Sequence, residues 1–176
     1  MALPVSLDEA KAQLRADGND QDEEIQGFIQ DAAAWVENYT GLILEAREIT
    51  EQFCGFGPVF LRAWPIAAGA SFGGAYVDAA GSPTALTGAR LDLSRRPARF
   101  LPPAGTSFWP FYSADQLFTV TVRAGSDDPA DVPRNIRRAM LVLIAAYNFD
   151  REGGDVFAKA EQRAKSLCKG LKRHLL

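Results

Sequence analysis

Between residues 47 and 123 the chain gives up helical periodicity, and this interruption constrains its fold more than any other feature. On either side, apolar residues recur at steps of three and four. Inside, short β-branched and aromatic runs alternate with glycine and proline turn signals. Candidate strands cover residues 48–53, 59–62, 75–78, 90–93, 99–101 and 117–123. The last is the clearest, because Phe118, Val120 and Val122 alternate with Thr119, Thr121 and Arg123, giving one apolar and one polar face. Ala80-Gly81-Ser82 reads as a hairpin turn. Six strands with no helix between them predict a small antiparallel sheet or barrel.

The flanks predict helices. Ser6-Leu7-Asp8-Glu9 has the form of a capping box, Leu7, Ala10 and Leu14 share a face, and Gly18 stands where the first helix should end. A second helix, with Asp20 as its N-cap and acids in its first turn, carries Ile25, Phe28, Ile29, Ala32, Val36 and Tyr39 on one side until Thr40-Gly41 stops it. That makes a rod about 30 Å long. A third helix is expected with Pro133 in its first turn and Ile136, Met140, Leu143, Ile144 and Tyr147 inward, with Leu141 and Val142 widening the apolar face. A final helix running from Asp155 to the C-terminus would place Val156, Ala160, Ala164, Leu167, Leu171 and Leu175 on one stripe. The expected fold class is therefore α+β, mainly helical: two N-terminal and two C-terminal helices with a small antiparallel β insertion between the second and third. In domain terms, residues 1–46 and 126–176 form a helical core and residues 47–125 an inserted β domain.

The chain has 176 residues and a net charge of −3. That total conceals two unlike ends. Residues 1–31 hold eight acids and two bases, for −6; residues 157–176 hold six bases and one acid, for +5. Such polarity points either to directed charge contacts or to two solvated helix faces of opposite sign. The longest apolar run, residues 139–147, is far too short to span a bilayer. The N-terminus has neither a basic nor an apolar leader region. Cys54 and Cys168 have no metal or redox spacing. A soluble, intracellular protein without a membrane partner is expected.

Enzymatic signatures are weak. The single histidine, His174, lies third from the C-terminus, and no nucleophile elbow, phosphate loop or dinucleotide fingerprint is present. Gly55-Phe56-Gly57 reads as a strand-to-strand turn, and Asp127, Asp128 and Asp131 as a polar loop leading into a helix rather than a calcium loop. The expectation is no enzyme: no catalytic residue, no metal site and no cofactor. The segment Phe108-Trp109-Pro110-Phe111-Tyr112 can serve either as a plug of the β core or as an exposed partner anchor. The plug is favoured for Trp109, and Phe108, Phe111 and Tyr112 are candidates for a partner-facing loop. Net acidity argues against sequence-specific nucleic-acid binding.

The order of motifs carries a resemblance. Pro4-Val5-Ser6-Leu7-Asp8-Glu9-Ala10-Lys11, an acidic stretch and then Ala34-Trp35-Val36-Glu37-Asn38-Tyr39-Thr40-Gly41 resemble the opening of tailed-phage head–tail connector (adaptor) proteins, which also occur in prophages and gene-transfer particles. Ala75-Tyr76-Val77-Asp78 with Ala80-Gly81 is similar to that family's hairpin, and Trp109-Pro110 with residues 120–125 to its last strand. Residues 132–139 resemble its third-helix start and residues 147–152 the end of that helix. Leu42, where a basic residue is common, and the Ala/Gly-rich stretch 64–74 depart from the pattern.

The resemblance implies a structural part. Such adaptors form a ring, usually of twelve copies, beneath the portal protein. They extend the channel through which double-stranded DNA passes and dock a stopper or tail protein in the virion neck, after assembly in the host cytoplasm. It implies portal binding through the C-terminal segment, here Leu167, Lys169, Leu171, Lys172, Arg173 and Leu175. Contacts between ring neighbours would draw on Asp20, Asp22, Glu23 and Glu24 on one side and Arg134, Arg137 and Arg138 on the other. The alternatives are another neck component, such as a stopper or tail terminator, or a small-ligand-binding or enzymatic domain.

Overall fold

The computed structural model describes residues 3–111, 115–150 and 154–172. They form two compact units, one from residues 1–45 with 126–176 and one from residues 46–125.

Among the described residues, the first unit contains four α-helices: α1 (Leu7–Leu14), α2 (Asp22–Thr40), α3 (Arg134–Phe149) and α4 (Asp155–Cys168). The capping box at α1 is complete. The Ser6 hydroxyl accepts from the Glu9 N–H while the Glu9 carboxylate accepts from the Ser6 N–H. The helix stops earlier than Gly18, because Arg15 takes the left-handed conformation at the C-cap. At α2 the N-cap is Gln21, one residue later than the expected Asp20, and it makes no side-chain cap. Gly41, at φ 70°, ends α2 by donating to the Glu37 carbonyl. Thr40 is buried without penalty, since its hydroxyl donates to the Val36 carbonyl and accepts from the Leu42 N–H.

The core of this unit is aliphatic. Ile25, Ile29, Ala32 and Val36 of α2 are buried, as are Ile136, Ala139, Met140, Leu143 and Ile144 of α3 and Ala164 and Cys168 of α4. Pro133 occupies the N-cap of α3, one position before the helix, where its missing N–H costs no intrahelical bond. The final helix is shorter than the sequence predicts. It ends at Cys168, a 3-10 turn follows over Lys169–Leu171, and Lys172 is extended. Its inward stripe differs at the first position: Val156 is exposed, whereas Phe157 packs against Tyr147 in a tilted ring pair at 5.2 Å. Leu175 lies outside the described residues.

Among its described residues the second unit holds seven strands: β1 (Arg47–Cys54), β2 (Val59–Phe60), β3 (Phe72–Val77), β4 (Pro83–Ala85), β5 (Arg90–Asp92), β6 (Arg99–Leu101) and β7 (Leu117–Ala124). All pairings between strands are antiparallel, in two sheets of order β1-β7-β3-β4 and β2-β6-β5. The chain thus makes two small sheets rather than one. Strand β4 is the element that sequence reading misses, since Pro83-Thr84-Ala85 is too short to show alternation. The β3–β4 turn is built by Asp78, whose carboxylate accepts from the Ala80 and Ser82 N–H groups, with Gly81 at φ 81°. Along β7, Phe118, Val120, Val122 and Ala124 face inward and are buried, in line with the expected alternation.

Candidate functional site

The described residues offer little for catalysis. No group of three His, Cys, Asp or Glu side chains among them is placed to hold a metal ion. His174 lies outside the described residues. The thiol of Cys168 is buried, and burial pushes its pKa up to about 11, so it is a packed apolar group rather than a nucleophile. Attention therefore falls on surfaces.

The first surface is a cleft of about 490 Å³ on the helical unit, lined by Glu9, Ala130, Val132, Arg134, Arg137, Arg138 and Leu141. The 3-10 turn Pro129–Asp131, whose Asp128 carboxylate accepts from the Ala130 N–H, leads into α3 and sets the three arginines along its first turns. Arg137 forms an ion pair with Glu9, which ties α3 to α1. Two demands therefore converge on the Glu9 carboxylate. The backbone bond from Ser6 is the larger cause, and Arg137 adds to it in holding this carboxyl below its ordinary value. The Arg134 and Arg138 side chains are exposed and bond to no other described side chain.

The acids expected to face them divide in the same way. Lys11 Nζ lies 2.6 Å from the Asp22 carboxylate and 3.1 Å from Asn19 Oδ1. Asp22 is therefore committed within the chain, as Arg137 is. Asp17, Asp20 and Glu23 remain exposed with no bond to another described residue, and Glu24 has an interaction of its own.

A second surface surrounds the end of α4. Trp35 stacks on Tyr39 with ring centroids 5.2 Å apart, and its indole N–H donates to Glu161. Glu161 also pairs with Lys165 at 2.9 Å, and the hydrogen bond from Lys165 is the chief cause that lowers its pKa. The Lys172 ammonium sits 4.7 Å above the Tyr39 ring. Asn135 Nδ2 donates to the Leu167 carbonyl at 2.8 Å. Lys169 and Lys172 are exposed, while Leu167 and Leu171 are half-buried. Arg173 and Leu175 lie outside the described residues. Periodicity alone does not reveal this clamp, because Trp35 and Tyr39 look like ordinary positions of a helix face.

The third surface belongs to the β unit. Trp109 is buried, and its indole N–H donates to the Gly57 carbonyl at 2.8 Å. It packs against Phe100 of β6 at 5.0 Å and Phe118 of β7 at 5.8 Å, joining the two sheets. Phe111 joins that cluster, 5.1 Å from Phe118 and 5.2 Å from Tyr76. This corrects its assignment to a partner-facing loop, because its ring is needed to fill the space between the sheets. Phe108 is 66% exposed and edges a smaller cleft with Tyr76, Pro103 and Pro110. Tyr112 falls outside the described residues.

Residues 4–56, which span α1, α2 and β1, match the family model of the phage gp6-like head-tail connector protein. The resemblance is to phage head–tail connectors. The whole chain superposes on a chain in the neck of an empty GTA particle computed with C6 symmetry, with a TM-score of 0.76, 20% identity and 94% of that chain covered. A chain in the virion of a native gene transfer agent particle matches all of this chain and 95% of its own length, at TM-score 0.71 and 21% identity. For the neck of a native GTA particle computed with C12 symmetry the TM-score is 0.70 at 21% identity, over 94% of this chain and 89% of the other. At these identities the likeness to the GTA structures is one of fold. No curated protein matches the chain.

Proposed function

We propose that this protein is an adaptor-type connector that forms a ring, of twelve copies on the particle, between the portal vertex and the stopper or tail of a tailed phage or phage-like particle. The observation that carries the reading is a coincidence. The connector match falls on residues 4–56, and the same chain, over its full length, has the fold of a chain in a particle neck. In this reading double-stranded DNA passes through the lumen without sequence-specific binding, and a net-acidic sleeve suits a conduit that must release what it guides. The protein would act in the virion neck after assembly in the host cytoplasm.

The end of α4 is the portal-docking element, with Leu167 and Leu171 as its packed base and Lys169, Lys172, Arg173 and Leu175 as contacts. The Trp35–Tyr39 stack and its bond to Glu161 give this element a fixed point of departure from the helical unit. Truncation after Leu171 tests the assignment, since it spares the buried Ala164 and Cys168. The expected result is loss of co-sedimentation with the cognate portal at unchanged melting temperature. Retained co-sedimentation would remove Lys172, Arg173 and Leu175 from the portal interface.

A further inference from the structure

The cleft on the helical unit carries charge that the fold itself does not use. Arg137 is spent on Glu9, but Arg134 and Arg138, one helical turn apart, are exposed beside an apolar wall of Val132 and Leu141. Two guanidinium forks next to an apolar surface suit carboxylates presented by a protein. Because Glu9 and Arg137 in the same cleft offset each other, the cleft offers two unspent cations beside an apolar wall, which matches a short acidic protein segment. The chain itself supplies such a segment. Between α1 and the first turn of α2, Asp17, Asp20 and Glu23 are exposed and bond to no other described residue, while the neighbouring Asp22 is held by Lys11.

We propose that the Arg134–Arg138 cleft is a socket for the acidic segment 17–23 of a second copy of this chain. Socket and segment are different patches of one chain, so the contact is heterologous and repeats from copy to copy. The proposal rests on the ring reading above only for the closure of that repeat into a circle. It also separates working residues from committed ones. Arg134, Arg138, Asp20 and Glu23 make the contact, whereas Arg137 and Asp22 stabilise the protomer.

The test uses two charge-reversed full-length chains, Arg134→Glu with Arg138→Glu, and Asp20→Lys with Glu23→Lys. Self-association is followed by sedimentation at high protein concentration and low salt. The wild type should associate, and either reversal should weaken it by about 100-fold with an unchanged melting temperature. A 1:1 mixture of the two variants should restore association, because each socket then meets a segment of opposite sign. A wild type that stays monomeric, or association that survives both reversals, would overturn the socket while leaving portal co-sedimentation, and with it the neck reading, intact. Tight binding of a 20-base-pair duplex that is lost only in the arginine variant would also overturn it, in favour of nucleic acid.

Discussion

The two units solve the problem of a small core in opposite ways. The helical unit buries branched aliphatics and alanines and then ties its helices with polar side chains: Glu9 to Arg137, Trp35 to Glu161 and Asn135 to the Leu167 carbonyl. The β unit relies on rings. Phe53, Tyr76, Phe100, Trp109, Phe111 and Phe118 form one cluster across two small sheets, neither of which could close a core alone. The surfaces overlap in character. The β unit exposes Phe60, Phe72, Val77, Phe108 and Leu117, and the helical unit exposes Phe149 and Val156 beside its unspent Arg134, Arg138, Asp17, Asp20 and Glu23. Contacts through the unspent charges of the helical unit should weaken with salt, and contacts through the exposed apolar side chains should not.

This contrast can be broken or sharpened by mutation. The largest effect is expected at Phe118, fully buried at the centre of the ring cluster. Phe118→Ala should cost about 3–5 kcal/mol, and residue-resolved hydrogen exchange should register the loss within residues 46–125. Equal loss of protection in the helices would mean that the two cores are not separate. Next comes Gly74, where an added Cβ would meet Leu86 Cδ1 at 2.9 Å and Phe100 Cζ at 3.0 Å. Gly74→Ala should destabilise by about 1–3 kcal/mol, and a neutral result in denaturant titration would show the sheets can part at no cost.

The helical unit should answer to polar changes instead. Ser6→Ala removes the cap of α1 and should cost about 1 kcal/mol by the same titration. The pH dependence has a definite sign. Because the folded pKa of Glu9 is depressed below 4.5, its contribution is fully present above that value and is lost as pH falls through the lower, folded one. Arg137→Met should flatten this acid limb of the melting-temperature profile. An unchanged limb would place the acid sensitivity elsewhere. The smallest effect is expected at Phe108, whose exposed ring supports nothing in the core: Phe108→Ser should change stability by no more than about 0.5 kcal/mol.

How much of this was legible in the sequence depended on whether the signal was local. The capping box at Ser6, the Gly41 stop and the alternation of β7 are local, and they stand where the residues place them. The order of two helices, a β insertion and two helices followed from the same kind of pattern. What was not legible depends on distant partners. Phe111 looked like a surface aromatic because nothing near it in the chain announces Tyr76 or Phe118. Only the first position of the α4 stripe differs, Phe157 packing in place of Val156, because its partner Tyr147 lies on another helix; Ala164 is buried as the spacing predicts. The charge clusters were visible as clusters. Which members were already spent, Arg137 on Glu9 and Asp22 on Lys11, required the packing of α1 against its neighbours. The Gly18 assignment failed for a simpler reason. Arg15 adopts the left-handed conformation that usually marks glycine, so α1 ends ahead of its sequence signal.

The central claim is that this chain is a ring-forming part of a particle neck, and electron microscopy of the protein mixed with its cognate portal tests it most directly. The account predicts a ring of twelve copies on the tail-facing end of the portal, with the end of α4 against the portal and Arg134 and Arg138 of each copy against the acidic segment of the next. A portal that remains bare, or density for this chain on the tail side of a separate adaptor ring, would contradict it.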